Sequence, residues 1–222
     1  GQAHPAVTIR GIINRGGQQG AQHSQALHAW YAHVPGLRVV TPATPKDARD
    51  LLIASVLCDD PVVYIDDRWL YEQEADIGDP EILDLNGVGP ELRREGADVS
   101  LVASGYSVVQ ALDAASKLSE AGISAEVVDL RVLSPMKWDV VIESVRKTGR
   151  LVAVDGGWSS CGMAAEVIAA VVERLRNDEL RAAPARVTLT DTPAPTSGPL
   201  EEAYYTSVPE IVATVRTVTR AS

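Results

Sequence analysis

Residues 37–65 read LRVVTPATPKDARDLLIASVLCDDPVVYI, a stretch that holds a complete strand–helix–strand unit. Leu37 to Val40 is a compact apolar run, of a length that suits a strand buried on both faces. Thr44 followed by Pro45 is a helix start: the hydroxyl can accept a first-turn N–H, and proline's missing donor costs nothing at the first helical position. The helix runs to about Leu57, with Ala48, Leu51, Leu52, Ser55 and Val56 on its apolar face. Pro61 to Ile65 is a second buried strand. Two apolar strands joined by a helix argue for a parallel sheet covered by helices.

Upstream, Ala6 to Arg10 is a short β-branched run, followed by a Gly/Gln-rich loop from Gly11 to Ala21. His23 to Val34 reads as one helix, because Leu27, Trp30, Tyr31 and Val34 fall at helical spacing, and Pro35 and Gly36 end it. Downstream, Asp66 to Asp98 turns acidic and gathers Gly78, Pro80, Gly87, Gly89 and Pro90; it reads as an interdomain linker with a short strand or two. A second alternating unit follows. Val99–Ala103, Ala125–Leu130, Leu151–Val154 and Arg186–Leu189 read as strands. Ser107–Glu120, Trp138–Lys147, Met163–Leu180 and Val208–Arg220 read as helices. The proline-rich Asp191 to Pro199 is expected to be an extended surface arm or interface segment. The pattern predicts an α/β protein with a parallel-sheet domain, a linker and, from Val99, a second, doubly wound α/β domain; the resemblance given below implies bounds of 1–71, 72–98 and 99–222.

With 222 residues, 45% of them hydrophobic, the chain has material for a substantial core without staples. Its net charge of −10 repels phosphate backbones and anionic lipid, which argues against nucleic-acid and membrane binding. Cys58 and Cys161 lack metal-ligand spacing, and two distant thiols fit a reducing, cytoplasmic setting.

Three places carry candidate chemistry. The loop after the first strand holds four glycines with Arg10 and Arg15 nearby, either a phosphate cradle or a plain active-site loop; it matches no dinucleotide or P-loop fingerprint. His23 stands where that loop meets a helix. A helix N-terminus favours neutral imidazole, which can take or give a proton near neutral pH; the alternative is a capping histidine without chemistry. Asp66, Asp67 and Arg68 follow the C-terminal end of a buried strand, the edge where open parallel sheets bind ligands, and a solvated turn is the competing reading.

Taken in order, a set of short motifs adds a resemblance. They are Gly20-Ala-Gln-His-Ser-Gln25, Pro35-Gly-Leu-Arg-Val-Val40, Pro42, Asp47-Ala48, Asp60-Pro-Val-Val63 and Leu70-Tyr71. Then come Asp129-Leu-Arg131, Ser134-Pro135, Ser144-Val145, Lys147-Thr148, Gly156-Gly157, Ala165-Glu166, the Asp191 to Pro195 arm and Leu200-Glu201. This order resembles the beta subunit of thiamine diphosphate-dependent 2-oxo acid dehydrogenases of the transketolase superfamily. The resemblance implies a partial pyrimidine-binding-type parallel sheet domain up to about Tyr71 and a transketolase C-terminal α/β domain from about Val99. It implies decarboxylation of a 2-oxo acid on thiamine diphosphate with Mg²⁺, both held largely by a partner chain. It implies an alpha-type partner subunit, a second copy of this chain, and acyl transfer to a dihydrolipoyl acyltransferase. It gives His23 a catalytic role and marks Val7, Ser55, Val56, Cys58 and Asp60 as a K⁺ site, with Cys58 standing where an aspartate is usual.

The family also carries a further N-terminal third, with the glutamate that activates the cofactor's pyrimidine ring. That stretch has no match in this sequence, so it is expected either on a separate chain or as the remainder of a longer subunit. The competing functions are a split transketolase-like or acyloin-forming carboligase, and a non-catalytic structural or regulatory subunit.

Overall fold

The computed structural model describes residues 5–13 and 17–220. Its elements begin with β1 (Thr8–Ile13), α1 (Gly20–His23), α2 (His28–Ala32), β2 (Arg38–Val40), α3 (Pro45–Leu57) and β3 (Val62–Asp67). A single turn at Arg68–Leu70 and an irregular stretch lead to β4 (Glu91–Arg94), β5 (Val99–Ala103), α4 (Tyr106–Glu120), β6 (Ala125–Asp129) and β7 (Val132–Ser134). Then come α5 (Asp139–Thr148), β8 (Leu151–Trp158), α6 (Met163–Arg174), β9 (Ala185–Leu189), α7 (Gly198–Tyr204) and α8 (Val208–Arg220).

The strands form two sheets, ordered β1-β3-β2-β7 and β4-β6-β5-β8-β9. In the first, β1 and β2 both run parallel to β3, and β7 closes the far edge antiparallel to β2. In the second, β6 and β8 flank β5 in parallel, β9 follows β8, and β4 pairs antiparallel with β6. The sheets trade material across the middle of the chain. Strand β7 arises in the second half yet completes the first sheet, and β4, in the stretch expected as linker, edges the second.

The αβ punctuation was readable in local chemistry. Thr44 Oγ1 accepts from the Asp47 N–H at 3.1 Å and Pro45 opens α3, as the sequence predicts. The central strand β5 is buried at all five positions, the mark of a strand covered on both faces. One apolar cluster packs Val39, Val63 and Ala26 of the first half with Val102, Ala153 and Val167 of the second, so the core runs through both sheets.

Buried charge joins the halves as well. Arg93 on β4 donates to Asp129 at 2.8 Å and pairs with Asp47 on α3, while Arg131 donates to Asp47 at 2.7 Å. Burial pushes the Asp129 carboxyl up to about 6, against the opposing pull of the Arg93 charge and hydrogen bond. A carboxyl whose folded pKa lies above its unfolded value holds its proton more tightly in the folded state. Its stabilising contribution is full below about pH 4 and is lost as pH rises through about 6. We therefore expect wild type to lose stability relative to Asp129→Asn between about pH 4 and 6. Urea midpoints of the two proteins across that window check it, and parallel slopes would contradict it.

Two helices differ from the sequence reading. The single helix expected over His23–Val34 is broken into α1 and α2 by Ser24–Leu27. Ser24, Ala26 and His28 are buried in alternation with Gln25 and Leu27, so the segment buries every second side chain as extended chain does. The helix expected to reach Leu180 stops at Arg174, where Leu175 turns extended (φ −100°, ψ 149°) and stays buried. The Asp191–Pro199 arm runs into a short helix that its prolines concealed, α7, with Pro199 in the first turn.

Candidate active-site segment

Residues 17–28 follow the C-terminal end of β1 and carry His23. Gly17, Gln18 and Gly20 all have positive φ (75°, 57° and 62°), so the chain turns sharply before α1. A side chain on Gly20 would run into Thr196 of the C-terminal arm, which explains a glycine there on steric grounds as well. His23 is exposed and is the last residue of the one-turn helix α1. This corrects the expected placement at a helix N-terminus: α2 begins five residues later, at His28, so the N-terminal dipole does not act on His23. What remains is an imidazole on an exposed turn at the C-terminal side of a parallel sheet, open to a substrate or to a neighbouring chain.

The residue that sequence reasoning missed is His28. It is 3% exposed, and its Nε2 lies 2.8 Å from Asp155 Oδ1 within β8. Asp155 also accepts from the Gly157 N–H at 2.9 Å and the Ala164 N–H at 3.2 Å, and it is 3% exposed. Burial alone pushes this carboxyl up; the attraction and hydrogen bond of His28 with the two backbone donors outweigh it and hold it below its ordinary value. No local signal links residues 127 positions apart. The sequence reading ends this strand at Val154, ahead of Asp155-Gly156-Gly157, whereas β8 runs on to Trp158.

At the other end of the segment, the Gln18 N–H donates to both carboxylate oxygens of Glu201 on α7, at 3.0 and 3.2 Å. Glu201 is 6% exposed. The arm expected as an external surface thus packs inward in part: Ala194 is buried, and Thr196 abuts Gly20.

The other candidates fare differently. Arg10 donates to Asp66 at 2.6 Å and to the Tyr71 hydroxyl at 2.7 Å, and the Asp66 hydrogen bond raises its pKa further. Its charge is therefore committed rather than free for phosphate; Arg15 lies outside the described residues. Asp67 accepts from the Trp69 N–H at 3.0 Å, so this part of the strand end is a structured turn. Asp66 Oδ1 and Thr41 Oγ1 are buried without a hydrogen-bond partner and border a cavity of about 20 Å³ between the two sheets, room for a single water. A larger groove of about 1010 Å³ separates Trp30 and His33 on one side from Trp158, Cys161 and Glu166 on the other. His23 does not line it.

Among the positions marked for K⁺, the structure brings the start of β1, the last turn of α3 and the approach to β3 together. The Val7 carbonyl accepts from the Val62 N–H at 2.8 Å, and the Ser55 carbonyl accepts from Thr8 Oγ1 at 2.7 Å and from the Cys58 N–H at 3.4 Å. Asp60 is spent on Arg38 at 2.8 Å. The Ser55 carbonyl thus already accepts two hydrogen bonds. Among the described residues no group of three or more His, Cys, Asp or Glu gathers as a metal site.

Residues 1–73 match the family pattern of the transketolase pyrimidine-binding domain, and residues 90–211 that of the transketolase C-terminal domain. The chain is 40% identical over 216 residues to the acetoin:2,6-dichlorophenolindophenol oxidoreductase subunit beta of Cupriavidus necator, covering 97% of this chain and 63% of that one. It is 38% identical over 220 residues to the mitochondrial pyruvate dehydrogenase E1 component subunit beta of Caenorhabditis elegans, covering 97% and 62%. A solved structure titled split gene transketolase, inactive beta4 tetramer, superposes with a TM-score of 0.77 at 25% identity, over 96% of this chain and 66% of that one. The chain spans about six-tenths of the length of these curated relatives. On these matches the chain belongs to the transketolase family, with the pyrimidine-binding domain represented ahead of the C-terminal domain.

Proposed function

We propose that this chain is the beta-type subunit of a thiamine diphosphate-dependent 2-oxo acid dehydrogenase and that it works with an alpha-type partner. The observation that carries the reading is collinear identity of 38–40% across nearly the whole chain to beta subunits of pyruvate dehydrogenase and acetoin oxidoreductase. The geometry supports it: an exposed histidine stands on a sharply turned segment at the C-terminal side of a parallel sheet, the edge at which such sheets bind ligands. A neighbouring chain would complete the cleft.

In this reading, as the family resemblance implies, the cofactor and Mg²⁺ are held largely by the partner chain. When bound there, thiamine diphosphate supplies the carbanion chemistry of decarboxylation. The contribution of this chain is His23, which exchanges a proton with the reacting group and steadies the acyl unit on its way to a dihydrolipoyl acyltransferase. A second copy of the chain fits the same reading, since the split transketolase neighbour is titled a beta4 tetramer. Two free thiols suit a cytoplasmic setting, and among the described residues no helix is long and apolar enough to cross a membrane.

Two relatives named acetoin:2,6-dichlorophenolindophenol oxidoreductase subunit beta favour acetoin cleavage as a second reading. Turnover of the assembly on pyruvate, branched-chain 2-oxo acids, acetoin and a ketose phosphate separates the readings. We expect a 2-oxo acid to be the best substrate. Preference for acetoin supports the second reading, and ketose phosphate alone points to a transketolase.

The K⁺ site is part of the proposal. If carbonyls at Val7, Ser55, Val56 and Cys58 hold the ion, with Asp60 nearby, exchanging ~0.1 M NaCl for KCl raises Tm by a few degrees through binding to the folded state. Equal Tm values in the two salts would remove K⁺ from the assignment.

A further inference from the structure

The segment that carries His23 is held by the C-terminal domain. At its start, Glu201 on α7 takes the Gln18 N–H with both carboxylate oxygens; at its end, Asp155 on β8 takes His28 at 2.8 Å. Both carboxylates are buried, at 6% and 3% exposure. Between the two anchors the backbone needs support. Gln18 is an L-residue at φ 57°, a left-handed conformation that side chains with a Cβ rarely adopt. Residues 24–27 leave the helix that their sequence favours. Each departure from local preference sits beside one anchor.

We propose that Glu201 and Asp155, the latter through His28, are positioning residues that fix the His23 turn, and that this is what the C-terminal domain contributes to the site. Neither carboxylate touches the reacting atoms. They act by narrowing the orientations of the turn, and a misplacement of about 1 Å at a reacting group costs on the order of 10²-fold in rate. The inference rests on the proposed role of His23 for its consequence in catalysis, but not for its structural content.

Hydrogen exchange of the full chain, read by mass spectrometry, tests the structural content. In Glu201→Ala we expect peptides covering residues 17–25 to exchange about tenfold faster, with β5 and β8 unchanged. Glu201→Gln keeps an acceptor oxygen and should restore most of the protection. His28→Ala strands a buried carboxylate and can unfold the chain. His28→Gln keeps a donor to Asp155 and should hold residues 24–28 as in wild type. Unchanged exchange over residues 17–25 in Glu201→Ala, or acceleration shared equally by β5 and β8, would overturn the proposal.

A kinetic arm on the assembled enzyme reads the consequence. Glu201→Ala should lower kcat about tenfold with little change in KM, and Glu201→Gln should recover it. Faster exchange with unaltered kcat would keep the anchoring and refute its link to His23. If the wild-type assembly has no turnover, the proposed function fails while the exchange result still stands.

Discussion

Replacing His23 with alanine in the proposed assembly with an alpha-type partner should lower 2-oxo acid turnover by about 10²–10⁴-fold, the range that a positioned general acid–base group commands. The side chain is exposed at the end of a one-turn helix, and removing it leaves no cavity in the core. The assembly should therefore form with wild-type stoichiometry and Tm, and the loss should appear in kcat. Stopped-flow assays with a lipoyl acceptor and with an artificial electron acceptor locate the defect: a larger loss with the lipoyl acceptor puts His23 in acyl transfer. Turnover within about twofold of wild type would return His23 to a capping role.

Removing the Asp155 carboxylate should have the largest effect on stability. Asp155→Ala leaves His28 buried without its partner, strips two backbone N–H groups of their acceptor, and opens space beside Gly157 and Gly162. Breaking a buried pair of this kind costs about 3–5 kcal/mol. For a chain of this size that corresponds to a Tm lower by roughly 6–20 °C. The folded-state pKa of Asp155 is depressed, so its contribution is present above the unfolded carboxyl value and is lost as pH falls through the folded one. Thermal melts of wild type and Asp155→Ala at neutral and acidic pH should accordingly converge at low pH. A Tm change below about 2 °C at neutral pH would show that the pair adds little net stability.

These two residues mark how far the sequence could be read. The strands β2, β3 and β5 and the helix α3 were legible, because their signals are local: an apolar run, a threonine cap, a proline in the first turn. The position of His23 on the chain was legible too, from its place in the motif Gly20 to Gln25. Its surroundings were not. Helical spacing of Leu27, Trp30, Tyr31 and Val34 favoured one helix, and the bond from His28 to Asp155 overrode it with a tertiary contact. The Asp191–Pro199 arm was visible as irregular, but the inward turn that brings Glu201 onto Gln18 depends on a partner 183 residues away. Pairing at such separation leaves no periodicity in either segment. The interlocking of β7 with β2 escaped for the same reason.

The proposed function amounts to one physical picture, a cofactor cleft with one wall on this polypeptide and the other on a partner. Calorimetric titration of thiamine diphosphate with Mg²⁺, first into this chain by itself and then into the assembly with the alpha-type subunit, tests that picture directly. We predict no measurable heat of binding for the isolated chain and saturable binding, one cofactor per alpha–beta pair, in the assembly. Saturable binding to the isolated chain, or none to the assembly, would contradict it.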